Sequence, residues 1–197
     1  ELEELGTPIA FNWDKCKLET ISYGHGIAVT PLQVTATYAA LTNGGNFVKP
    51  TIILKKKYTK NLKKIISSET SKKINKILRK VVTNKEGTAS MANIYGYDVA
   101  GKTGTSQMYG NKNENLNTFI SVFPAREPKY VLLVMLENPQ VAEELIYNYR
   151  GLNIKGTRNE AGWNSVYTAG KIIKKIGPIL AIKNKEFYNK YVAKKSN

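Results

Sequence analysis

The sequence has little of the chemistry that holds metals or disulfides. Among its 197 residues are one cysteine, Cys16, and one histidine, His25. A lone cysteine cannot form an internal disulfide, and a single histidine beside it does not make a metal-binding set. We therefore expect no metal and no other cofactor. His25 lies between two glycines, and we favour a packing or hydrogen-bonding role for it over one as a general base.

Long apolar runs are also missing. The longest, Tyr130 to Leu136, is far shorter than the roughly 20 residues that a helix needs to cross a bilayer. Neither a signal peptide nor a lipidation motif is visible. Because the chain starts at Glu1 rather than Met, we expect an upstream segment, which would carry any targeting signal or membrane anchor.

Arginine is scarce although the chain is strongly basic. The formal net charge is +15, yet only four of the 30 basic residues are arginine. Proteins that recognise nucleic acids use arginine for bidentate contacts, so this composition argues against a nucleic-acid partner. We expect solvated surface lysines on a globular domain, since the hydrophobic fraction of 42% is ordinary.

Three helices are predicted from their caps and apolar stripes. Thr30, Pro31 and Gln33 form the pattern of a capping box with proline at the first helical position. Ser67 or Ser68 can cap a second helix with Glu69 in its first turn. A third helix begins near Trp163 and is expected to stop at 177–178, a Gly-Pro pair. The stretch 1–26 is predicted to be irregular.

Three strands are predicted at Tyr95–Thr105, Thr118–Phe123 and Tyr130–Leu136. Their links are short, which favours an antiparallel sheet with Lys102 on its outer strand. Residues 47–66 are predicted to form strands or a hairpin, and 110–117 and 139–159 to be polar loops. The fold class that follows is α+β, an antiparallel sheet with packed helices.

The segment 100–106, Ala-Gly-Lys-Thr-Gly-Thr-Ser, admits two interpretations. Together with Gly96 it satisfies the phosphate-loop pattern G-x-x-x-x-G-K-[ST]. That loop must follow a buried strand and open a helix, whereas the residues before Gly96 suggest a loop and those after Lys102 have no amphipathic stripe. We therefore prefer a strand at the rim of a catalytic cleft.

Each residue type of this strand has a role in such a cleft. Lys102 offers a compact positive charge to a carboxylate, and Thr103 and Thr105 offer hydroxyls to the same group. Gly104 has no side chain, so a substrate backbone can approach and pair with the strand edge. An N–H just beyond it can help to stabilise an oxyanion. K-T-G is a motif of penicillin-binding proteins and class A β-lactamases.

A longer series of segments resembles the class B penicillin-binding proteins. The segments keep the order and spacing of that family from about Ser22 to Ile179. They are 22–33 (SYGHGIAVTPLQ), 39–45 (AALTNGG), 48–50 (VKP), 86–89 (EGTA), 99–107 (VAGKTGTSQ), 119–125 (FISVFPA), 130–134 (YVLLV) and the helix from 161–163 (AGW). Within the family, the division-specific FtsI type is most similar, because the elongation type usually has K-S-G-T.

The resemblance implies a partial penicillin-binding (β-lactamase-like) fold and a peptidoglycan D,D-transpeptidase parent that cross-links stem peptides ending in D-Ala-D-Ala. It implies that Lys102, Thr103, Gly104 and Thr105 bind the substrate or a β-lactam, and that the Thr105 N–H forms half of the oxyanion hole. It also implies divisome partners and a location on the periplasmic side of the bacterial inner membrane.

The family's nucleophile is missing from this sequence. No serine is followed three residues later by lysine or two residues later by asparagine, so neither S-x-x-K nor S-x-N is present. We therefore interpret 1–197 as the C-terminal portion of a transpeptidase domain, with a core at about 22–179 and a basic tail at 180–197. The alternatives are a catalytically silent binding fragment, an elongation-type protein, and a β-lactamase or β-lactam sensor. We expect the isolated chain to self-associate, because without the missing part of the domain several apolar side chains of the sheet would lose part of their cover: Ile120, Val122, Val131, Leu133 and Met135.

Overall fold

The computed structural model describes residues 16–24, 26–53, 62–108, 111–149 and 151–183. His25, most of the segment predicted to be irregular at the start, and the basic tail beyond 183 lie outside these ranges. Within them, no helix is both long enough and apolar enough to cross a membrane.

A three-stranded antiparallel sheet forms the centre of the molecule. Its strands are β1 (Ala100–Met108), β2 (Asn111–Phe123) and β3 (Tyr130–Glu137), in the order β1-β2-β3. Lys102 pairs with Ile120 and Phe119 with Val134. The antiparallel arrangement and the position of Lys102 on an outer strand are confirmed.

The helices are α1 (Lys17–Ser22), α2 (Pro31–Thr42), α3 (Ser68–Thr83) and α4 (Ser165–Lys183). The predicted cap of α2 is present: Thr30 N donates to Gln33 Oε1 at 2.9 Å, and Gln33 N donates to Thr30 Oγ1 at 3.2 Å. Ser67 caps α3 by accepting a hydrogen bond from Thr70 N at 3.0 Å. The predicted starts of both helices are therefore confirmed.

The two faces of the sheet are covered by different helices. On one face Phe119 and Phe123 pack with Val166 and Ile173 of α4. On the opposite face of the sheet, Ala100 packs with Leu78 and Ile74 of α3. The helices cover only the faces of the sheet. The outer edge of β1 has no partner strand within the described residues.

The end of α4 corrects the prediction that the Gly-Pro pair stops it. Pro178 lies inside the helix, which continues to Lys183. Proline in a helix costs about 3 kcal/mol, but Leu180 packs against the core and Ala181 is buried, so the last turn is stabilised by burial. Gly177 serves close packing, since a Cβ there would lie 2.3 Å from the ring of Tyr97.

The strand boundaries also differ from the prediction. β1 begins at Ala100 rather than Tyr95, because Gly96 and Asp98 have positive φ angles of 87° and 49° and form a turn. β2 begins at Asn111, so most of the predicted polar loop 110–117 is strand, and residues 115–117 pair with β1. The predicted loop 139–159 contains a second hairpin, β4 (Ile146–Tyr149) and β5 (Leu152–Lys155).

One further expectation is corrected near the start. Helix α1 forms where irregular structure was predicted, and its first turn has Glu19 favourably placed at the positive end of the helix dipole. At 47–66, where strands or a hairpin were predicted, the described residues include one antiparallel bridge, between Asn46 and Lys64, and Phe47 N donates to Lys63 O at 2.8 Å. Residues 54–61 lie outside the described ranges.

The expected loss of cover on the sheet is smaller than predicted. Ile120 and Val122, which were expected to lose part of their cover, are buried within this chain. Met135 on β3 is 38% exposed, and the outer edge of β3 is unpaired within the described residues.

Two isoleucines of α4 test the packing of this helix. Ile173 is fully buried, whereas Ile182 is 72% exposed. We expect Ile173→Ala to lower the free energy of unfolding by about 2–5 kcal/mol, because it removes buried methyl groups and leaves a cavity. Ile182→Ala is the matched control and should change it by less than about 0.5 kcal/mol. Urea titrations of both variants at one protein concentration measure the difference, and equal losses would contradict the position of α4.

Candidate functional site

The K-T-G motif lies on β1, at the edge of the sheet. The Lys102 side chain is exposed, and its Nζ donates to the carbonyl oxygen of Thr103 at 2.7 Å. The strand continues to Met108, so no helix begins after Lys102. The phosphate-loop interpretation therefore fails, because its backbone N–H groups and helix dipole are not available.

The motif side chains divide between the two faces of β1. Successive residues of a strand point to opposite faces, so Lys102 shares a face with its partner Ile120, and Thr103 and Thr105 point the other way. A single carboxylate that contacts the ammonium and both hydroxyls must therefore lie at the free edge of the strand, between the two faces.

The two threonine hydroxyls are already hydrogen-bonded. Thr103 Oγ1 lies 2.9 Å from Thr88 Oγ1, and Thr105 Oγ1 accepts a hydrogen bond from Ala161 N at 3.2 Å. Both threonines line one cavity of about 280 Å³. Its other lining residues are Thr88, Tyr149, Arg158, Glu160, Ala161, Gly162 and Trp163. The structure thus brings Thr103 and Thr105 to one cavity and leaves Lys102 outside its lining.

The two glycines of the motif bring β1 close to β2. A Cβ on Gly101 would lie 2.4 Å from the Ile120 carbonyl oxygen, and one on Gly104 would lie 2.6 Å from Thr118 Oγ1. Thr118 Oγ1 also donates to Gly104 O at 3.2 Å. Both glycines are therefore required by packing, in addition to any approach of a substrate to Gly104.

A buried polar network joins β2 to the segment that lines the cavity. Asn117, directly opposite Thr105, is fully buried and donates through Nδ2 to Asn159 O at 3.2 Å. The buried Ser165 donates through Oγ to Asn117 O at 2.8 Å. Asn164 Nδ2 donates to Asn159 Oδ1 at 3.0 Å. These bonds fix the start of α4 beside the motif strand.

Aromatic rings hold the β4–β5 hairpin against α4. Tyr147 makes edge-to-face contacts with Trp163 and Tyr167 at centroid distances of 5.6 and 4.8 Å. Tyr149 lies 5.1 Å from Trp163. Burial, and to a lesser extent Tyr167 and Glu144, raises the pKa of the Tyr147 hydroxyl. Tyr149 is the residue of this hairpin that lines the cavity.

A larger groove, of about 600 Å³, lies near the start of β1 and contains none of the motif residues 100–106. Arg79 Nε lies 3.0 Å from Asp98 Oδ1, and Arg126 Nε lies 3.4 Å from Asp98 Oδ2. Burial lowers the pKa of Arg79, while Asp98 acts in the opposite direction. These ion pairs hold the turn before β1. The described residues include no group of three metal-ligating side chains.

The sequence indicated only part of this site. Lys102, Thr103, Gly104 and Thr105 were predicted, and the structure places them together at the strand edge. The sequence singled out Thr88 only as part of the E-G-T-A segment of the resemblance. Tyr149, Arg158 and Glu160 were not predicted, because they reach the motif through tertiary packing of a segment expected to be a loop.

Solved structures with a similar fold define the class of protein. The transpeptidase domain of penicillin-binding protein 3 from Burkholderia pseudomallei matches with a TM-score of 0.66 and 24% identity, over 84% of this chain and 48% of that chain. The transpeptidase domain of FtsI4 from Legionella pneumophila matches with a TM-score of 0.59 and 28% identity, over 84% and 54%. The expected fold class, an antiparallel sheet with packed helices of the penicillin-binding transpeptidase type, is confirmed.

The sequence defines the family. The family described as "Penicillin binding protein transpeptidase domain" matches residues 3–156, and the chain belongs to it. A probable peptidoglycan D,D-transpeptidase FtsI from Caulobacter vibrioides is 29% identical over 94% of this chain and 32% of its own length. Stage V sporulation protein D from Bacillus subtilis is 35% identical over 71% and 24%. The chain thus spans about a third or less of these relatives.

The buried network predicts a difference between two serines. Ser165→Ala removes the hydrogen bond from the buried Ser165 hydroxyl to Asn117 O, which we expect to cost about 0.5–1.5 kcal/mol. Ser106→Ala is the control, because Ser106 is exposed and its bond to Leu116 O is 3.5 Å long. It should change the free energy of unfolding by less than about 0.5 kcal/mol. Chemical denaturation compares the two, and a neutral Ser165→Ala would refute the network.

Proposed function

We propose that this chain is the C-terminal portion of a serine-type peptidoglycan D,D-transpeptidase of the FtsI type, with its core at about 22–179. The observation that carries the proposal is the K-T-G strand at a sheet edge that no other described strand pairs with, with Lys102 exposed beside it. The family match over residues 3–156 and the FtsI relatives support it.

The proposed reaction is acyl transfer in two steps. A serine supplied by another part of the parent attacks the carbonyl of the penultimate D-alanine of a stem peptide. The peptide bond breaks, the terminal D-alanine leaves with a proton, and an ester to the serine remains. An amine of a neighbouring stem then attacks the ester, forms a new amide and releases the serine. A β-lactam would acylate the same serine.

The motif residues supply binding and electrostatics in this proposal. The ammonium of Lys102 attracts the terminal carboxylate of the substrate and biases nearby proton transfers. The hydroxyls of Thr103 and Thr105 donate to that carboxylate after exchanging their present partners. Gly104 permits close approach of the substrate backbone, and the Thr105 N–H forms half of the oxyanion hole.

We further propose that the parent acts in septal cell-wall synthesis, with divisome partners, on the periplasmic side of the inner membrane. The FtsI relatives and the K-T-G-T sequence support this assignment over the elongation type. A second candidate function is a catalytically silent binding fragment. It is favoured by one observation, the lack of any serine in an S-x-x-K pattern in this sequence.

The role of Lys102 is tested by the rate of penicillin acylation in the full-length parent. We expect Lys102→Ala to slow covalent labelling by a fluorescent penicillin about tenfold or more, because a positive charge next to the ligand carboxylate is lost. Lys174→Ala is the control, since Lys174 is an exposed lysine on α4. The isolated chain should give no adduct that survives denaturation.

Two results would contradict the proposal. Acylation of Lys102→Ala at the parent rate would remove Lys102 from the site. Labelling that maps to any serine of the isolated chain would mean that the chain carries its own nucleophile.

Self-association of the isolated chain is a separate prediction. The outer edges of β1 and β3 are unpaired within the described residues, and such edges pair readily with other chains. The high positive charge opposes aggregation without covering these edges. Light scattering over a dilution series should reveal dimers or larger species. A monomer with a concentration-independent melting temperature would show that this part folds alone.

A further inference from the structure

A row of three lysines lines the groove of about 600 Å³ near the start of β1. Lys72, Lys76 and Lys80, which we call the lysine row, recur at every fourth residue of α3, and all three are exposed. Their side chains form no hydrogen bond or ion pair with any residue in the described ranges. The neighbouring Lys73 differs, because its Nζ lies 2.7 Å from Glu69 Oε1. The lysine row therefore presents three positive charges that no described carboxylate pairs with.

The arginines of the groove are engaged by the protein itself. Arg79 Nε lies 3.0 Å from Asp98 Oδ1. The other two nitrogens of Arg79 donate to Val99 O and Asn93 Oδ1. Arg126 Nε lies 3.4 Å from the second oxygen of the Asp98 carboxylate. The planar fork of Arg79, which nucleic-acid recognition would use, is therefore occupied, and the charges that a ligand can reach are mainly compact lysine ammonium groups.

The surface between the charged groups of the groove is mostly apolar. Ala125 supplies a methyl group, and the lysines supply their methylene stems, because a long charged side chain can cover a surface with carbon while its ammonium stays in water. An inorganic ion would leave this apolar surface exposed to solvent. A ligand with an apolar stripe beside its anionic groups would bury the surface and pair the charges, so the groove suits an amphipathic anion.

The spacing of the lysine row indicates which kind of anion fits. Four residues of helix rise about 6 Å, so successive lysines of the row are displaced by about 6 Å along α3. Carboxylates at every fourth residue of a second helix lie on one face with the same repeat, so each can meet one ammonium group. Phosphates along one strand of a nucleic-acid duplex recur about every 3.4 Å, which does not match the row.

We propose that this groove docks an acidic amphipathic helix of a partner protein. Carboxylates at every fourth position of that helix pair with the lysine row, and its apolar stripe covers Ala125 and the lysine stems. A second copy of this chain does not fit as the occupant, because its net charge of +15 would repel the row. The inference adds an interaction surface to the proposed acyl transfer and does not depend on it.

The test compares the binding of two synthetic peptides to the full-length parent by isothermal titration calorimetry. The matched peptide is a helix with glutamate at every fourth position beside a leucine stripe. The scrambled peptide has the same composition and charge, with the glutamates distributed around the helix. We expect the matched peptide to bind about tenfold more tightly, because three surface ion pairs together contribute roughly this factor.

Two triple variants of the parent show where the matched peptide binds. The groove variant combines Lys72→Gln, Lys76→Gln and Lys80→Gln, which keeps side-chain length and helix propensity, and it should bind both peptides equally. The control variant makes the same change at three exposed lysines outside the groove lining: Lys155→Gln, Lys174→Gln and Lys175→Gln. It has the same net charge as the groove variant and should keep the tenfold preference. Lys76→Gln alone should lower the preference by about two- to threefold.

Several results would overturn the inference. Equal affinity of the parent for the two peptides would mean that a basic surface attracts any acidic peptide. Equal loss of preference in the groove and control variants would place the binding elsewhere. Vesicles of phosphatidylglycerol that bind the parent and not the groove variant, while neither peptide binds, would identify a lipid surface as the occupant. If the parent prefers the matched peptide through the lysine row but does not acylate penicillin, the inference stands and the proposed function fails.

Discussion

The buried hydrogen bonds of Asn117 are the constraint on which the site depends. Asn117 is fully buried at the position opposite Thr105. Its side-chain Nδ2 donates to Asn159 O, and Ser165 Oγ donates to the backbone carbonyl oxygen of Asn117. Buried polar groups are costly unless they are hydrogen-bonded, so the structure favours an arrangement that pairs Asn117 Nδ2 and the Ser165 hydroxyl, while Asn117 Oδ1 is buried without a hydrogen-bond partner among the described residues. That arrangement holds the start of α4 and the segment around Asn159 against β2, beside the motif strand.

The motif strand β1 packs through one side and one face, and its outer edge is the surface proposed to bind a ligand. Its side facing β2 is held closely through Gly101 and Gly104. Its hydroxyl face is anchored to Thr88 and Ala161. Its outer edge has no partner strand within the described ranges, and the exposed Lys102 ammonium is bonded to Thr103 O. A rigid strand with one open edge is a preorganised surface for an extended peptide, because little conformational entropy is lost when a ligand binds.

The sequence predicted those parts of the fold that local patterns determine. The caps at Thr30 and Ser67 and the pairing of the three strands follow from side-chain chemistry and short links, and all are present. The continuation of α4 through Pro178 was not predictable, because burial of Leu180 and Ala181 outweighs a local stop signal.

The site likewise has a part that a local sequence pattern predicts and a part that depends on tertiary packing. The motif residues form a contiguous segment that the sequence could single out. Arg158 and Glu160 carry no local pattern of their own, and they join the site only because the β4–β5 hairpin and the Asn159 bonds bring their segment to β1. Residues 115–117 are strand although Asn115 and Asn117 are polar, since pairing with β1 satisfies backbone groups there.

The most direct measurement is a crystal structure of the full-length parent acylated by a β-lactam. The central claim is that the outer edge of β1 is the ligand-binding surface. It predicts the ligand carboxylate within about 3 Å of the Thr103 and Thr105 hydroxyls, with the Lys102 ammonium beside it and the ligand backbone along the strand edge. A covalent adduct whose carboxylate lies away from this edge, with Thr103 still bonded to Thr88 and Thr105 to Ala161, would contradict the claim.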